Sequence, residues 1–170
     1  DALARLAFVY ERQGRNPEAL GLLQTALEID ERVFGGEHPS VAARLVALSS
    51  VHQGEGRYSE AESLLRRSLS ILEKTYGTDH VETVGTLTRL GTALLSQGRS
   101  DAAELPLRRV LEIRERLYGS DHPAVAADLA RVATVYLARG DYAAAEPFFE
   151  RALALDELGA GSVQADTQLH

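Results

Sequence analysis

The chain has 170 residues, 45% of them hydrophobic and 25% charged, a composition typical of globular domains. Its formal net charge of -7 argues against nucleic acid as a partner, because nucleic-acid binders neutralise phosphates with basic surfaces. The absence of cysteine excludes disulfide scaffolds, thiolate nucleophiles and cysteine-bound zinc. Because no segment has the pattern of a membrane span or a signal peptide, we expect a cytoplasmic chain without a membrane partner.

The strongest pattern in the sequence is a tandem repeat with a constant period, equal to the spacing from Gly14 to Gly56. Four glycines mark it: Gly14, Gly56, Gly98 and Gly140. A period of this size is typical of supersecondary units that bury their apolar faces only by stacking on each other. We predict repeats at 1–42, 43–84, 85–126 and 127–158, followed by a tail or the truncated start of a further element at 159–170. Function is then expected on the surface of the stack.

The first segment of each repeat has the apolar spacing of an amphipathic helix. In the first repeat, the spacing of Leu3, Leu6, Ala7 and Tyr10 places them on one side of a 3.6-residue period. The position of Ala7 is occupied by small residues throughout, which predicts a close approach of two helices. The members of this column are Ala7, Ser49, Gly91 and Ala133.

A second helix is predicted after each marker glycine. In the first repeat Asn16-Pro17-Glu18 supplies a capping residue, a proline at the first helical position and an early carboxylate. We expect this helix to run from about Glu18 to Phe34 and to end at Gly35 or Gly36. An alanine column on the second helices faces the small column of the first helices: Ala19, Ala61, Ala103 and Ala145.

Two further expectations concern the second helices. Leu23 and Phe149 occupy equivalent positions and are expected to fill the core beside the alanine column. Pro106 removes an amide donor inside the third repeat's second helix, which predicts a slight bend or a shifted start.

The loops between repeats share an aromatic residue, a glycine and a histidine, as in Phe34-Gly35-Gly36-Glu37-His38-Pro39. Equivalent positions in stacked repeats lie on the order of 20 Å apart. Zinc ligands must lie about 2 Å from a shared ion, so these histidines do not predict a metal site. We expect each to shape its turn and start the next helix: His38, His80 and His122.

The order of large, small and aromatic residues resembles the tetratricopeptide repeat at Leu3, Leu6, Ala7, Tyr10, Ala19 and Leu23. That repeat has about 34 residues, and the longer unit here resembles the kinesin light chain type, which is also common in bacterial signalling proteins. The resemblance covers residues 1 to about 158. It implies an all-α fold, a right-handed α-solenoid of about four helix-turn-helix hairpins. It also implies a protein-binding role without catalysis.

In the resembling family, the first helices line a concave groove that holds a segment of a partner. The face of these helices left over by the core predicts the lining: Arg5, Phe8, Arg12, Ser50, Gln53, Thr88, Arg89, Thr92, Arg131 and Thr134. Arginines recur in register at positions 5, 89 and 131, so we expect an acidic or carboxylate-bearing peptide as the partner. Kinesin light chain repeats carry ligand-gripping asparagines where this chain has Thr88-Arg89, so the ligand's identity does not transfer.

No residue set predicts catalysis, a metal or a cofactor, because Ser49 and His52 occupy core columns. We therefore expect no enzymatic activity. A self-assembling scaffold stays open as an alternative, because Phe148, like Leu22 and Leu64, is expected to face a following helix. The sensor or regulatory segment of a larger bacterial signalling protein is another. The chain lacks methionine and begins inside a predicted helix, so we expect a piece of a longer protein.

Overall fold

The computed structural model describes residues 2–167 and the side chains of residues 2–158. Within this range the chain is all-α, as predicted, with eight α-helices, one 3₁₀ turn and no strand. The helices are α1 Ala2–Arg12, α2 Asn16–Phe34, α3 Pro39–Gly54, α4 Tyr58–Tyr76, α5 Val81–Ser96, α6 Ser100–Tyr118, α7 Ala126–Ala138 and α8 Tyr142–Thr167, with the 3₁₀ turn at Pro123–Val125. None of the described helices combines the length and apolarity of a bilayer-crossing segment.

The contacts between residues divide the chain into two units, residues 1–97 and residues 98–170. In the first unit, α1 packs on α2, α2 on α3, α3 on α4 and α4 on α5. In the second unit, α6 packs on α7 and α7 packs on α8. Each helix therefore buries its apolar face on sequence neighbours, as the repeat pattern predicts.

The marker glycines lie in the turns between the first and second helices. Their φ angles are 74°, 73°, 72° and 75°, in the left-handed region where a side chain is disfavoured. The turn at Gly14 is closed by the Arg15 amide, which donates to the Tyr10 carbonyl over 2.9 Å. Helix α2 ends at Phe34 as predicted, but Arg15 and not Asn16 occupies its N-terminal capping position.

The small residues are buried where the helices cross. Ala7 and Ala19 are 1% and 0% exposed and share one apolar cluster with Leu23, Leu48 and Val51. This cluster joins α1, α2 and α3, so one set of side chains holds a hairpin together and attaches the following helix. The structure therefore brings Ala7 and Ala19 of the two small columns into one cluster, as predicted.

Phe149 does not join the core, contrary to the expectation from its column. Its equivalents Leu23, Leu65 and Leu107 are 3%, 0% and 1% exposed, whereas Phe149 is 39% exposed. A following first helix is needed to cover this position, and none packs on α8 within the described residues.

Phe148 also differs from its expected orientation. Its ring is half-buried and stacks on Tyr136 of α7, with the centroids 5.7 Å apart. The large hydrophobic residues that the described part of α8 exposes are instead Tyr142, Phe149, Leu153 and Leu158.

Pro106 lies inside α6 without shifting its start. The helix begins at Ser100, the position equivalent to Tyr58 and Asn16, where α4 and α2 begin. The proline is the seventh residue of the helix, so the helix continues through it without the hydrogen bond that an amide at this position would donate to the Ala102 carbonyl.

The loop histidines start the following helices, as predicted. The His38 Nδ1 accepts from the Ser40 amide over 3.1 Å, and the His38 ring stacks on Phe34 at 4.7 Å. The same cap and the same stacking recur at His80 on Tyr76 and at His122 on Tyr118. Each loop therefore links the end of one helix to the start of the next through a single aromatic pair.

Candidate functional site

Four of the predicted groove residues lie together in the first unit, in a cleft of about 450 Å³ formed by α1, α3 and α5. They are Phe8, Ser50, Gln53 and Arg89. Because α1, α3 and α5 are first helices of successive repeats, residues at equivalent positions meet on one surface. The remaining lining is mostly small or apolar: Ala4, Glu11, Leu23, Ala43, Val46 and Ala47.

Arg89 is the central cation of this surface. Its Nη1 donates to the Ser50 Oγ over 2.9 Å, and its backbone carbonyl accepts from the Gln53 Nε2 over 3.2 Å. These contacts join α3 to α5 and orient the guanidinium, which is still exposed to solvent. A preorganised guanidinium with remaining donors is suited to bind a carboxylate.

Arg89 also lines a second cleft, of about 300 Å³, between α3 and α5. Its lining includes the small residues Ala43 and Gly85 and the larger side chains of Leu72, Tyr76 and Glu82. The two clefts share Ala43, Val46 and Arg89, so the guanidinium is accessible from both.

Glu11 belongs to the first cleft although its position was not in the predicted lining. It lies three residues after Phe8 on α1, at the spacing that places two residues on one helix face. This spacing could have placed Glu11 in the predicted lining. The cleft therefore carries a carboxylate on α1 as well as the Arg89 guanidinium on α5.

The other predicted residues of α1 lie outside these clefts. Arg5 and Arg12 are exposed on α1, and neither lines the cleft that contains Phe8. Phe8 itself is 61% exposed, a large apolar surface for a solvent-facing position.

The predicted threonines donate their hydroxyl protons to their own helices. The Oγ1 atoms of Thr88, Thr92 and Thr134 donate over 2.8–2.9 Å to the carbonyls of Val84, Thr88 and Ala130. Their oxygen lone pairs can still accept hydrogen bonds, so these side chains are suited to accept peptide N–H groups.

Arg131, in the second unit, is already paired within the protein. Its Nη1 donates over 2.7 Å to the Oδ1 of Asp128, a residue only 1% exposed. The Nε of Arg114 lies 3.0 Å from the other carboxylate oxygen. Burial raises the pKa of the Asp128 carboxyl, and the two arginines oppose that effect. A ligand carboxylate would therefore compete with Asp128 for Arg131.

The Arg114–Asp128 pair has a counterpart of opposite polarity in the first unit. There Asp30 of α2 pairs with Arg44 of α3, with Nε and Oδ2 2.8 Å apart. Two repeat periods separate Asp30 from Arg114, and the same interval separates Arg44 from Asp128. At the α2–α3 junction the acid is on the earlier helix and the base on the later one, and at the α6–α7 junction the order is reversed. Alignment of the repeats shows the exchange, but the pairing itself depends on helix contacts that the sequence does not specify.

Glu104 of α6 is the centre of a second polar cluster in residues 98–170. It accepts from the Tyr136 hydroxyl over 2.7 Å and from the Arg108 Nε over 2.8 Å, and it pairs with Arg139 at 2.8 Å. The Tyr136 hydrogen bond and the two arginines lower the pKa of the Glu104 carboxyl to about 2. The Arg108 guanidinium also lies 5.7 Å from the Phe148 ring centroid. The cluster joins α6 to α7 and α8 by charge and stacking.

The comparisons agree with this architecture. The profile described as tetratricopeptide repeat matches residues 1–74, 45–116 and 107–157. BtubC (BKLC) from P. vanneervenii is similar at 24% identity and a TM-score of 0.85, over 94% of this chain and 63% of that one. The chain thus spans less than two thirds of BtubC. Among curated proteins, the comparison finds no match.

Two further solved structures share the fold. One is described as a kinesin light chain of Podosopora anserina with nearly identical TPR-like repeats, with 28% identity and a TM-score of 0.81 over 92% of this chain and 74% of that one. The other is MamA, with 18% identity and a TM-score of 0.70 over 94% and 79%. The repeat signature, the alternating helices and these likenesses lead to one assignment: the chain belongs to the tetratricopeptide repeat family, whose members generally mediate protein–protein interaction.

Proposed function

We propose that this chain is a non-catalytic interaction module that binds an acidic or carboxylate-bearing peptide segment on its first helices. The observation that carries the proposal is Arg89, an exposed and oriented guanidinium that lines two adjoining clefts. A guanidinium can bind a carboxylate through two parallel hydrogen bonds.

The surroundings of Arg89 support an extended segment as the ligand. Ala43, Ala47 and Gly85 are small, so a peptide backbone can approach the helices closely. Ser50 and Thr92 offer oxygen lone pairs at neighbouring positions on α3 and α5. Phe8 supplies an exposed aromatic surface beside them.

Arg5, Arg12, Thr88, Arg131 and Thr134 stay in the proposal as outer contacts. We give Arg131 a smaller part than Arg89, because its guanidinium is shared with the buried Asp128 carboxylate. Glu11 on the wall of the first cleft favours a segment with an acidic residue at Arg89 over a uniformly acidic one.

Replacing Arg89 with alanine tests the proposal. Charge-assisted hydrogen bonds contribute about 1.5 to 3 kcal/mol, so we expect roughly 10- to 100-fold weaker binding of a fluorescein-labelled peptide containing Glu and Asp. Fluorescence anisotropy measures the affinity. Arg66→Ala is the matched control, because it removes an exposed arginine of α4 that lines neither cleft.

An Arg89→Ala variant that binds the peptide as tightly as the wild type contradicts the assignment. The Arg131→Ala variant is expected to lose less affinity and more stability, because it leaves Asp128 with Arg114 as its remaining arginine. A common loss of affinity in the Arg89 and Arg66 variants would indicate a nonspecific charge effect.

Self-association is a second candidate function, favoured by the apolar residues that α8 exposes. Phe149 and Leu153 are 39% and 61% exposed at positions whose equivalents Leu23 and Leu27 pack against a following helix. These residues replace Phe148 as the candidate contact, because Phe148 stacks on Tyr136.

A further inference from the structure

The cleft of about 450 Å³ in the first unit carries charges of both signs. It opens over α3, and its lining comes from the three successive first helices α1, α3 and α5, so neighbouring repeats within the chain form it. Two charged side chains line it: Glu11 on α1 and Arg89 on α5. A cleft with one carboxylate and one guanidinium is complementary to a ligand that carries both charges.

The Glu11 carboxylate is available to a ligand. Within residues 2–158 its side chain has no hydrogen bond or ion pair. The basic residue one turn later, Arg15, is engaged elsewhere: its Nε donates to Glu18 over 2.9 Å, and its guanidinium lies 4.0 Å from the centroid of the Tyr10 ring. The usual helical partner of Glu11 is therefore occupied.

The Arg89 guanidinium does not neutralise Glu11 either. Its Nη1 donates to the Ser50 Oγ over 2.9 Å, which places the guanidinium over α3. The other donors of the guanidinium can bind a second acceptor. The two opposite charges thus line the same cleft without pairing with each other, and each can attract a charge on the ligand.

Phe8 adds an aromatic surface beside Glu11. Both residues line the cleft, they are three residues apart on one face of α1, and the Phe8 ring is 61% exposed. A lysine or arginine side chain can lie on an aromatic ring while its charged end reaches a carboxylate. The equivalent residues on α3 are Ser50 and Gln53, which offer neither group. The combination therefore marks α1 as the side of the cleft that suits a basic residue.

The positions of the two charges set a spacing for the ligand. Ser50, which holds the guanidinium, is the α3 equivalent of Phe8, and Glu11 lies three residues beyond Phe8. Packed helices are about 8 to 10 Å apart and three helical residues rise about 4.5 Å, so the two charge sites are roughly 10 Å apart. In an extended peptide, residues two apart are separated by about 7 Å and point to the same side, and long side chains cover the remainder.

We propose that the segment bound at this cleft is dipolar, with a lysine or arginine at Phe8 and Glu11 and an aspartate or glutamate two residues away at Arg89. Glu11 is then a specificity-determining residue, because it attracts a basic residue and repels a second acidic one. The inference rests on the proposed function of the Arg89 cleft and adds which segments that cleft selects.

Three otherwise identical fluorescein-labelled peptides test this selection. Each contains one fixed Glu, and the residue two positions before it is Lys, Ala or Glu. Fluorescence anisotropy measures the affinities. We expect the wild type to bind the Lys peptide roughly 2- to 5-fold more tightly than the Ala peptide, as for partly exposed ion pairs, and the Glu peptide most weakly.

Substitutions of the α1 residues identify the source of the preference. Glu11→Gln is expected to remove the difference between the Lys and Glu peptides, and Glu11→Lys to reverse it. Phe8→Ala is expected to reduce the preference for Lys in part. Glu28→Lys is the matched control, because Glu28 is exposed on α2 and lines neither cleft. Circular dichroism on heating establishes that the variants are folded.

The two proposals fail in different ways. A preference for the Lys peptide that persists in Glu11→Lys, or that Glu28→Lys abolishes equally, overturns the dipolar segment. Equal binding of all three peptides by the wild type overturns it as well. In each of these cases, weaker binding by Arg89→Ala still supports the proposed function. Peptides that bind the Arg89→Ala variant as tightly as the wild type overturn the proposed function itself.

Discussion

At the scale of single residues, the Glu104 carboxylate links stability to pH. Its pKa is lowered to about 2, chiefly by the Tyr136 hydrogen bond. A carboxyl group whose pKa is lower in the folded chain than in the unfolded chain stabilises the fold fully above the unfolded value, about 4.3 for glutamate. The contribution is lost as the pH falls from there through about 2.

We predict that Glu104→Gln lowers the free energy of unfolding at pH 7 and that its deficit against the wild type shrinks below about pH 4. Urea unfolding at a series of pH values measures both quantities. Glu112→Gln on the same helix is the control, because Glu112 is exposed and its contact with Arg116 uses the backbone carbonyl. A deficit that does not change with pH contradicts the role of the Glu104 charge.

At the scale of helices, the junction pairs differ in polarity. Asp30 and Arg44 join α2 to α3, whereas Arg114 and Asp128 join α6 to α7 with the charges exchanged. At the equivalent positions between them, α4 and α5 have Leu72 and Thr86. In each of these helix pairs, the two side chains suit each other. A helix moved to another pair would meet a side chain that does not form the same contact.

Removing the buried acid tests this polarity. Asp128→Ala leaves Arg114 and Arg131 close together without a counter-ion, and we expect a loss of about 3 kcal/mol of unfolding free energy. Asp156→Ala is the control, because Asp156 occupies the column of Asp30 and Arg114 but is exposed on α8. Its loss should stay within about 0.5 kcal/mol.

Exchanging the charges provides the rescue. Asp128→Arg alone places three arginines together and should be the least stable variant. Combining Arg114→Asp, Asp128→Arg and Arg131→Ala copies the arrangement of Asp30, Arg44 and Ala47. We expect this triple variant to recover most of the stability in urea unfolding. Equal stability of the single and triple variants would mean that pairing does not determine the effect.

At the scale of the whole molecule, residues 1–97 and 98–170 form two units by their contacts. In repeat proteins, stability is approximately a sum of terms within repeats and between neighbours. A defect in α7 should therefore reduce order first in the helices that contact it. We predict that Asp128→Arg lowers hydrogen-exchange protection in α6, α7 and α8 more than in α1 to α4. Uniform loss across the chain would instead indicate a single cooperative unit.

The sequence predicted what depends on local conformation and on the period. The turns at Gly14 and its equivalents and the end of α2 at Phe34 follow from backbone preferences of short segments. Ala7 and Ala19 were predicted to meet because small residues recur at fixed spacing. The period also brought Phe8, Ser50 and Arg89 into one predicted surface, since equivalent positions face the same way.

What escaped prediction depends on neighbours in space. The exposure of Phe149 depends on whether another helix covers α8, which its own column cannot indicate. The spacing of Asp128 and Arg131 on α7 permits their pairing, but the contact of Asp128 with Arg114 depends on how α6 packs on α7. Glu11 was missed because the face left over by the core on α1 was assigned to Arg5, Phe8 and Arg12.

The stacked histidine caps have a consequence for how such a chain can lengthen or shorten. Each joint is complete within a few residues, from Phe34 to Ser40 in the first case, and the next two joints reproduce it. Duplication or excision of one whole repeat at these loops leaves a loop with the same sequence pattern, so the histidine cap and the aromatic stacking are kept. Excising 43–84 would, however, set the Asp30 carboxylate opposite Thr86. The loops between repeats therefore allow whole repeats to be exchanged, whereas the charge pairs between neighbouring helices disfavour a change in the order of the repeats.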